Sequence, residues 1–148
     1  MKRIFIIGLL FLYAFTLYSQ SNIRYYFKTL DIQDGLSQNT VNAILQDKQG
    51  FMWFGTKDGL NRFDGLSFRI FKKENSALGN NFITALHEDK EGNIWVGTYG
   101  GGLNVVEGSF PNLKFTHYQN GLELYPKNKY LRVRSLLCTS AGIMLAGT

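Results

Sequence analysis

Residues 47 to 56 read Asp-Lys-Gln-Gly-Phe-Met-Trp-Phe-Gly-Thr, and residues 89 to 98 read Asp-Lys-Glu-Gly-Asn-Ile-Trp-Val-Gly-Thr. The offset is 42 residues, and 10 of the 24 positions from 36 to 59 are identical to those from 78 to 101. A weaker third copy, Gly142-Ile143-Met144-Leu145-Ala146-Gly147-Thr148, follows 50 residues further on. Nothing else in the chain constrains its fold so tightly. A unit that recurs at this period cannot bury its apolar surface alone and must stack each copy on the next.

The strand pattern says what the unit is. Val41 to Gln46, Phe51 to Thr56, Leu60 to Asp64 and Ser67 to Lys72 are short β-prone runs separated by turn residues, and Phe82 to Glu88, Asn93 to Thr98, Gly102 to Glu107 and Leu113 to Tyr118 repeat them. Four strands in a repeat of about 42 residues is the pattern of a β-propeller blade. The expected fold is all-β: a partial β-propeller of about three four-stranded blades over residues 24–148, its ring not closed. Blade 1 spans about 36–75, blade 2 about 78–120 and a partial blade 3 about 131–148. An earlier run, Arg24 to Leu30, reads as a strand with no repeat before it, placed to close the ring from the other end. Rings of 4–8 blades need roughly 170–340 residues, so the sequence is expected to be the front of a longer protein.

Each residue of the repeated phrase has a mechanical reading. Asp47 with Gly50, and Asp89 with Gly92, sit between two strands; the carboxylate can accept turn amides and the glycine can supply the positive φ of a tight return. Asp58-Gly59 is a hairpin signal, replaced by Gly100-Gly101 with one inserted residue. Trp53 and Gly55 share one face of their strand, Met52 and Phe54 the other; Trp95 with Gly97, and Ile94 with Val96, repeat this. Apolar residues on both faces imply cover on both sides, and Gly55 or Gly97 leaves room for a large side chain of a neighbouring blade. In the third copy Thr139 replaces the Asp and Leu145 the Trp.

The N-terminus reads as an export signal, residues 1–19: Lys2 and Arg3 precede an apolar run, Ile4 to Leu17, too short to span a bilayer comfortably. Removing the two charges of Lys2 and Arg3 from the net +5 leaves +3. Lys57, Arg62, Arg69, Lys72, Lys73, Lys127, Lys129, Arg132 and Arg134 are scattered, unlike the dense basic stripe of a nucleic-acid binder. Cys138 is the one cysteine and forms no intrachain disulfide. His87 stands where the previous copy has Leu45, as a packed residue would, and His117 is distant in sequence. No metal-ligand spacing and no phosphate loop before a helix is present. Asp47 and Asp89 recur once per blade, whereas a catalytic group is needed once per site. No catalytic residue, metal or cofactor is expected, and the chain is read as non-enzymatic by itself.

With these residues in hand, Asp47 to Asp64 and Asp89 to Val106 resemble the two-component regulator propeller repeat, and Asp34-Gly35-Leu36-Ser37-Gln38-Asn39-Thr40-Val41 is similar to the opening of the first blade of that family. The resemblance implies the N-terminal periplasmic sensor region of a hybrid two-component sensor histidine kinase, many of which respond to oligosaccharides. It also implies an exported chain anchored in the inner membrane, a homodimer in the full-length protein, and the rest of the same polypeptide as partner to these blades. Two other readings remain: an exported propeller enzyme of lyase, glycosidase or quinoprotein type, and a secreted scaffold that binds proteins. Ligand contacts in a repeat protein are expected where copies differ, because shared positions serve the common packing. Lys57, Asp58 and Tyr99, beside Gly100, are therefore the expected ligand-binding residues. Asp47, Gly50, Trp53, Gly55, Asp89, Gly92, Trp95 and Gly97 are the expected structural set.

Overall fold

The computed structural model describes residues 24–118 and 132–148. The proposed signal segment lies outside the described residues. A first antiparallel sheet holds β1 (Val41–Gln46), β2 (Met52–Thr56), β3 (Gly59–Phe63) and β4 (Phe68–Phe71), in that order. A second sheet has the same order: β5 (Ile83–Glu88), β6 (Ile94–Thr98), β7 (Leu103–Glu107) and β8 (Lys114–Tyr118). A third pairs β9 (Ser135–Cys138) with β10 (Met144–Gly147). The fold is all-β, and strands meet their expected bounds to within about two residues, the usual uncertainty of element ends.

The leading strands carry the stacking: β1 lies beside β5, and β5 beside β9. Both β1 and β5 slip register at their second residue, between Val41 and Ala43 and between Ile83 and Ala85. The irregularity re-aims a side chain. Asn42 Nδ2 donates to the Ile83 carbonyl at 2.9 Å, and Thr84 Oγ1 donates to that of Val133. Farther out, Trp53, Leu60 and Phe71 of the first sheet meet Ile83, Ile94, Val96 and Val106 of the second, with Leu78 between them. The core is therefore the space between sheets. Gly55 lies there because a Cβ on it would stand 2.6 Å from Ile83 Cγ2; a Cβ on Gly97 would stand 2.6 Å from Val133 Cγ1.

Two expectations need correction. Residues 24–30 form no strand, since a strand requires a partner edge and none among the described residues pairs with them. The first hairpin turns at Lys57-Asp58, with Thr56 opposite Gly59, one residue before the expected Asp58-Gly59. Neither loop residue has a positive φ, and Gly59 takes it at 129° as the next strand begins, as a hairpin built on a type I-like turn requires. Cover on both faces holds for β6, where Ile94, Val96 and Gly97 are buried, but Met52 and Phe54 of β2 are only half-buried. The second sheet has a neighbour on each side; the first has one among the described residues.

Candidate ligand-binding surface

Antiparallel order sorts the loops. The β1–β2, β3–β4, β5–β6, β7–β8 and β9–β10 turns fall at one end of the sheets, and the β2–β3 and β6–β7 turns at the other. The repeated Asp belongs to the first end. Asp47 Oδ1 accepts from the amides of Gln49 at 3.0 Å and Phe51 at 2.9 Å, and Asp89 Oδ1 from that of Asn93 at 2.8 Å. The second carboxylate oxygen does something the repeat pattern alone did not reveal. It accepts from the indole N–H, Trp53 to Asp47 at 2.7 Å and Trp95 to Asp89 at 2.8 Å. Asp and Trp are thus one device, in which the turn anchors the aromatic that fills the gap between sheets. The third copy replaces both members, so no indole is left without its acceptor. Thr139 Oγ1 still accepts from the Ile143 amide at 3.1 Å, and the turn glycine keeps its positive φ, 82° against 92° and 88°.

Burial alone would raise the pKa of Asp89. Hydrogen bonds from the Trp95 indole, the Asn93 side chain and amide, and the Glu91 amide outweigh it and hold the carboxyl below the ordinary value. Asp64, at the β3–β4 turn, is likewise lowered by the Ser67 and Leu66 amides. Lysine follows Asp in both copies, and each reaches across to the next turn. Lys48 Nζ donates to the carbonyls of Asp89 at 2.7 Å and Lys90 at 2.8 Å, and Lys90 Nζ to that of Ser140. Both histidines hold backbone. His87 Nε2 accepts from the Cys138 amide at 3.1 Å, and His117 Nε2 donates to the Gly101 carbonyl at 2.6 Å.

Lys57, Asp58 and Tyr99 lie at the opposite end, on the corresponding turns of neighbouring sheets. Lys57 is exposed. Asp58 instead pairs with Lys72 at 2.6 Å, which ties the turn to the outer strand. Tyr99 is 41% exposed, but its ring stacks on Phe82 with centroids 5.1 Å apart while the Arg132 guanidinium lies 4.1 Å over it. A stacked ring and a guanidinium cannot share one face, so both faces are covered and the edge and hydroxyl remain open. Among the described residues, no three His, Cys, Asp or Glu side chains are grouped to hold a metal.

Residue types overlooked in the sequence gather at the Asp-turn end. The Arg62 guanidinium sits 3.4 Å from the Phe51 ring centroid and 5.0 Å from that of Phe110, and Arg69 lies 4.9 Å from Phe110. Their signal was available: Arg62 stands opposite Trp53, where the second sheet has Val105 opposite Trp95. The buried Asn61 and Asn104 were legible too, as a repeated Leu-Asn within a strand. They accept from the amides of Ser37 at 2.9 Å and Gly79 at 2.8 Å and hold each sheet's lead-in segment.

Residues 35–58 and 77–100 match the two-component regulator propeller family. Over 51 residues the chain is 51% identical to histidine kinase P4 of Formosa agariphila, a stretch covering 34% of this chain and 4% of that protein. The extracellular domain of a hybrid two-component system from B. thetaiotaomicron is 31% identical and superposes with a TM-score of 0.69, covering 82% of this chain and 17% of that one. The chain therefore spans a small part of the length of both relatives. No helix among the described residues is long and apolar enough to cross a membrane.

Proposed function

We infer that this chain, which carries two-component regulator propeller repeats, is the leading part of the extracellular sensor region of a hybrid two-component histidine kinase. The observation that carries the reading is the joint likeness, in sequence to a histidine kinase and in fold to such an extracellular domain. In this reading residues 1–19 export the chain to the periplasm, the blades continue into further blades of the same polypeptide, and the full-length protein is a homodimer anchored in the inner membrane. The blades bind an oligosaccharide and do no chemistry. One observation supports a structural role for the repeated carboxylates: both oxygens of Asp47 and of Asp89 are engaged by turn amides and an indole, leaving neither poised as an acid or base.

Lys57 and Tyr99 occupy matching turns at one end of adjacent sheets, and a sugar chain lying across that end would meet both. The test is calorimetric titration of the complete protein with oligosaccharides of several linkages. One class should bind, with affinity reduced about tenfold by Tyr99→Ala, the loss of one hydroxyl or ring-edge contact. Unchanged affinity in that variant would remove the contact residue. A reading frame with no membrane helix or kinase domain downstream would remove the sensor assignment.

A further inference from the structure

We propose that the cleft between the first and second sheets, at the end carrying the Asp turns, is an oxyanion site in which Arg62 and Arg69 receive a carboxylate or sulfate group. The repeat supplies its own control. Val105 fills the second-sheet counterpart of Arg62 and is 3% exposed, and Thr116 stands in the place of Arg69. An apolar side chain therefore satisfies this slot in the same fold. Arg62 is nonetheless 6% exposed, a charge largely withdrawn from water where packing alone does not require one.

The surroundings give that charge no protein acceptor. Phe51 and Phe110 cover the guanidinium, and such rings stabilise a cation but accept nothing at its in-plane N–H groups. Among the described residues no hydrogen bond or ion pair from the Arg62 side chain is formed, and no sealed polar atom lacks a partner, so its nitrogens meet the solvent of the cleft. Asp47 and Glu88 also line the cleft, but they are already engaged. The two Asp47 oxygens serve amides and the Trp53 indole, and the two Glu88 oxygens accept from the Lys48 amide, each at 3.1 Å.

Arg69 lies on the exposed rim, cross-strand from Arg62, and shares the Phe110 ring with it. The cleft admits on the order of one water molecule, room for a single oxygen of an acid group whose remaining atoms stay at the mouth, and it excludes a sugar ring. Burial lowers the Arg62 pKa against the pull of Asp47 and Asp64, and neighbouring Arg69 lowers it further. A bound anion would relieve both effects. Guanidinium forks match carboxylate and sulfate oxygens in geometry and charge.

The acid group has two sources, a free anion or a larger acidic ligand, and the site is independent of any sugar contact at the other end. Thermal unfolding and titration of the full chain with sodium sulfate, sodium acetate and a uronic-acid disaccharide, each against sodium chloride at equal ionic strength, separate them. Sulfate and acetate should raise the melting temperature of the wild type above the chloride control by more than they raise that of Arg69→Thr, since sulfate also stabilises folds by exclusion from their surface. Arg62→Val, which installs the residue of the second sheet, should weaken binding about tenfold or more, and the surface change Arg69→Thr by several fold. A uronate that binds more tightly than acetate identifies a larger ligand as the source; equal binding identifies the free anion. If Arg62→Val does not fold, Arg69→Thr decides. No effect beyond chloride, or wild-type affinity in the folded variants, overturns the site.

Discussion

The junction of the first and second sheets and the junction of the second with the third begin alike and end differently. Their inner halves share their main contacts. Gly55 admits Ile83 as Gly97 admits Val133; Asn42 bonds the neighbour's leading strand at Ile83 and Thr84 bonds Val133 just ahead of β9; Lys48 and Lys90 each reach the next turn. Their outer halves differ among the described residues, where the third sheet contributes two strands and the others four. Trp53 is 2% exposed beneath Phe71 at 7%, whereas Trp95 is half-buried and its stacking partner Tyr118 is 46% exposed. Two strands of a partner suffice for the polar links, because these come from the leading strand and its turn. Apolar burial needs the partner's outer strands as well. Alignment of blades and their stabilisation are therefore borne by different strands.

The largest expected effect comes from the tryptophans. In this chain Trp53→Ala should cost about 3–5 kcal/mol by creating a cavity between two four-stranded sheets, and Trp95→Ala about 1–2 kcal/mol because the sheet it faces contributes two strands among the described residues. Urea unfolding of this chain measures both, and equal losses would show that the two junctions are equally closed.

Gly55→Ala should come next, at about 1–3 kcal/mol of overpacking. Its Cβ would stand 2.6 Å from Ile83 Cγ2, so the double variant Gly55→Ala with Ile83→Ala should be less destabilised than the two single losses added together. Simple additivity in the double-mutant cycle would sever Gly55 from Ile83.

The smallest effect concerns acid. The folded pKa of Asp89 lies below its ordinary value, so the carboxylate contributes stability that is fully present above the unfolded pKa, about 4. That contribution is lost as pH falls through the lower, folded pKa. Unfolding monitored from pH 6 to pH 2 should lose stability in that window, and Asp89→Asn should flatten the limb. A variant with the same acid limb as the wild type would assign the loss to other groups.

Much of the architecture was legible because it is local. The turn needs an acceptor, a positive φ and a return, and Asp47-x-x-Gly50 states all three within four residues. The alternation of Trp53 and Gly55 with Met52 and Phe54 likewise shows that a strand has two apolar faces. Less was legible at the candidate sites. Asp58 looked free and is paired with Lys72, fourteen residues on; Tyr99 looked open and lies between Phe82 and Arg132. Arg62 looked like scattered surface charge, yet it stands buried between rings from two sheets. Each of these facts depends on the packing of distant segments, which local pattern does not encode.

By itself, then, the sequence determined the repeat, the strands within it and the Asp turns, since a 42-residue period with Asp, Gly and Trp in fixed places leaves one economical way to hydrogen-bond the backbone. Only the tertiary structure decided what each recurring residue holds. The second oxygen of Asp47 reaches Trp53, the ammonium of Lys48 reaches the next sheet, and Gly55 gives its space to Ile83. It also decided where the repeat is broken to chemical effect. The same strand position is a quiet apolar contact at Val105 and a largely buried charge at Arg62, and only the groups packed around each side chain distinguish the two.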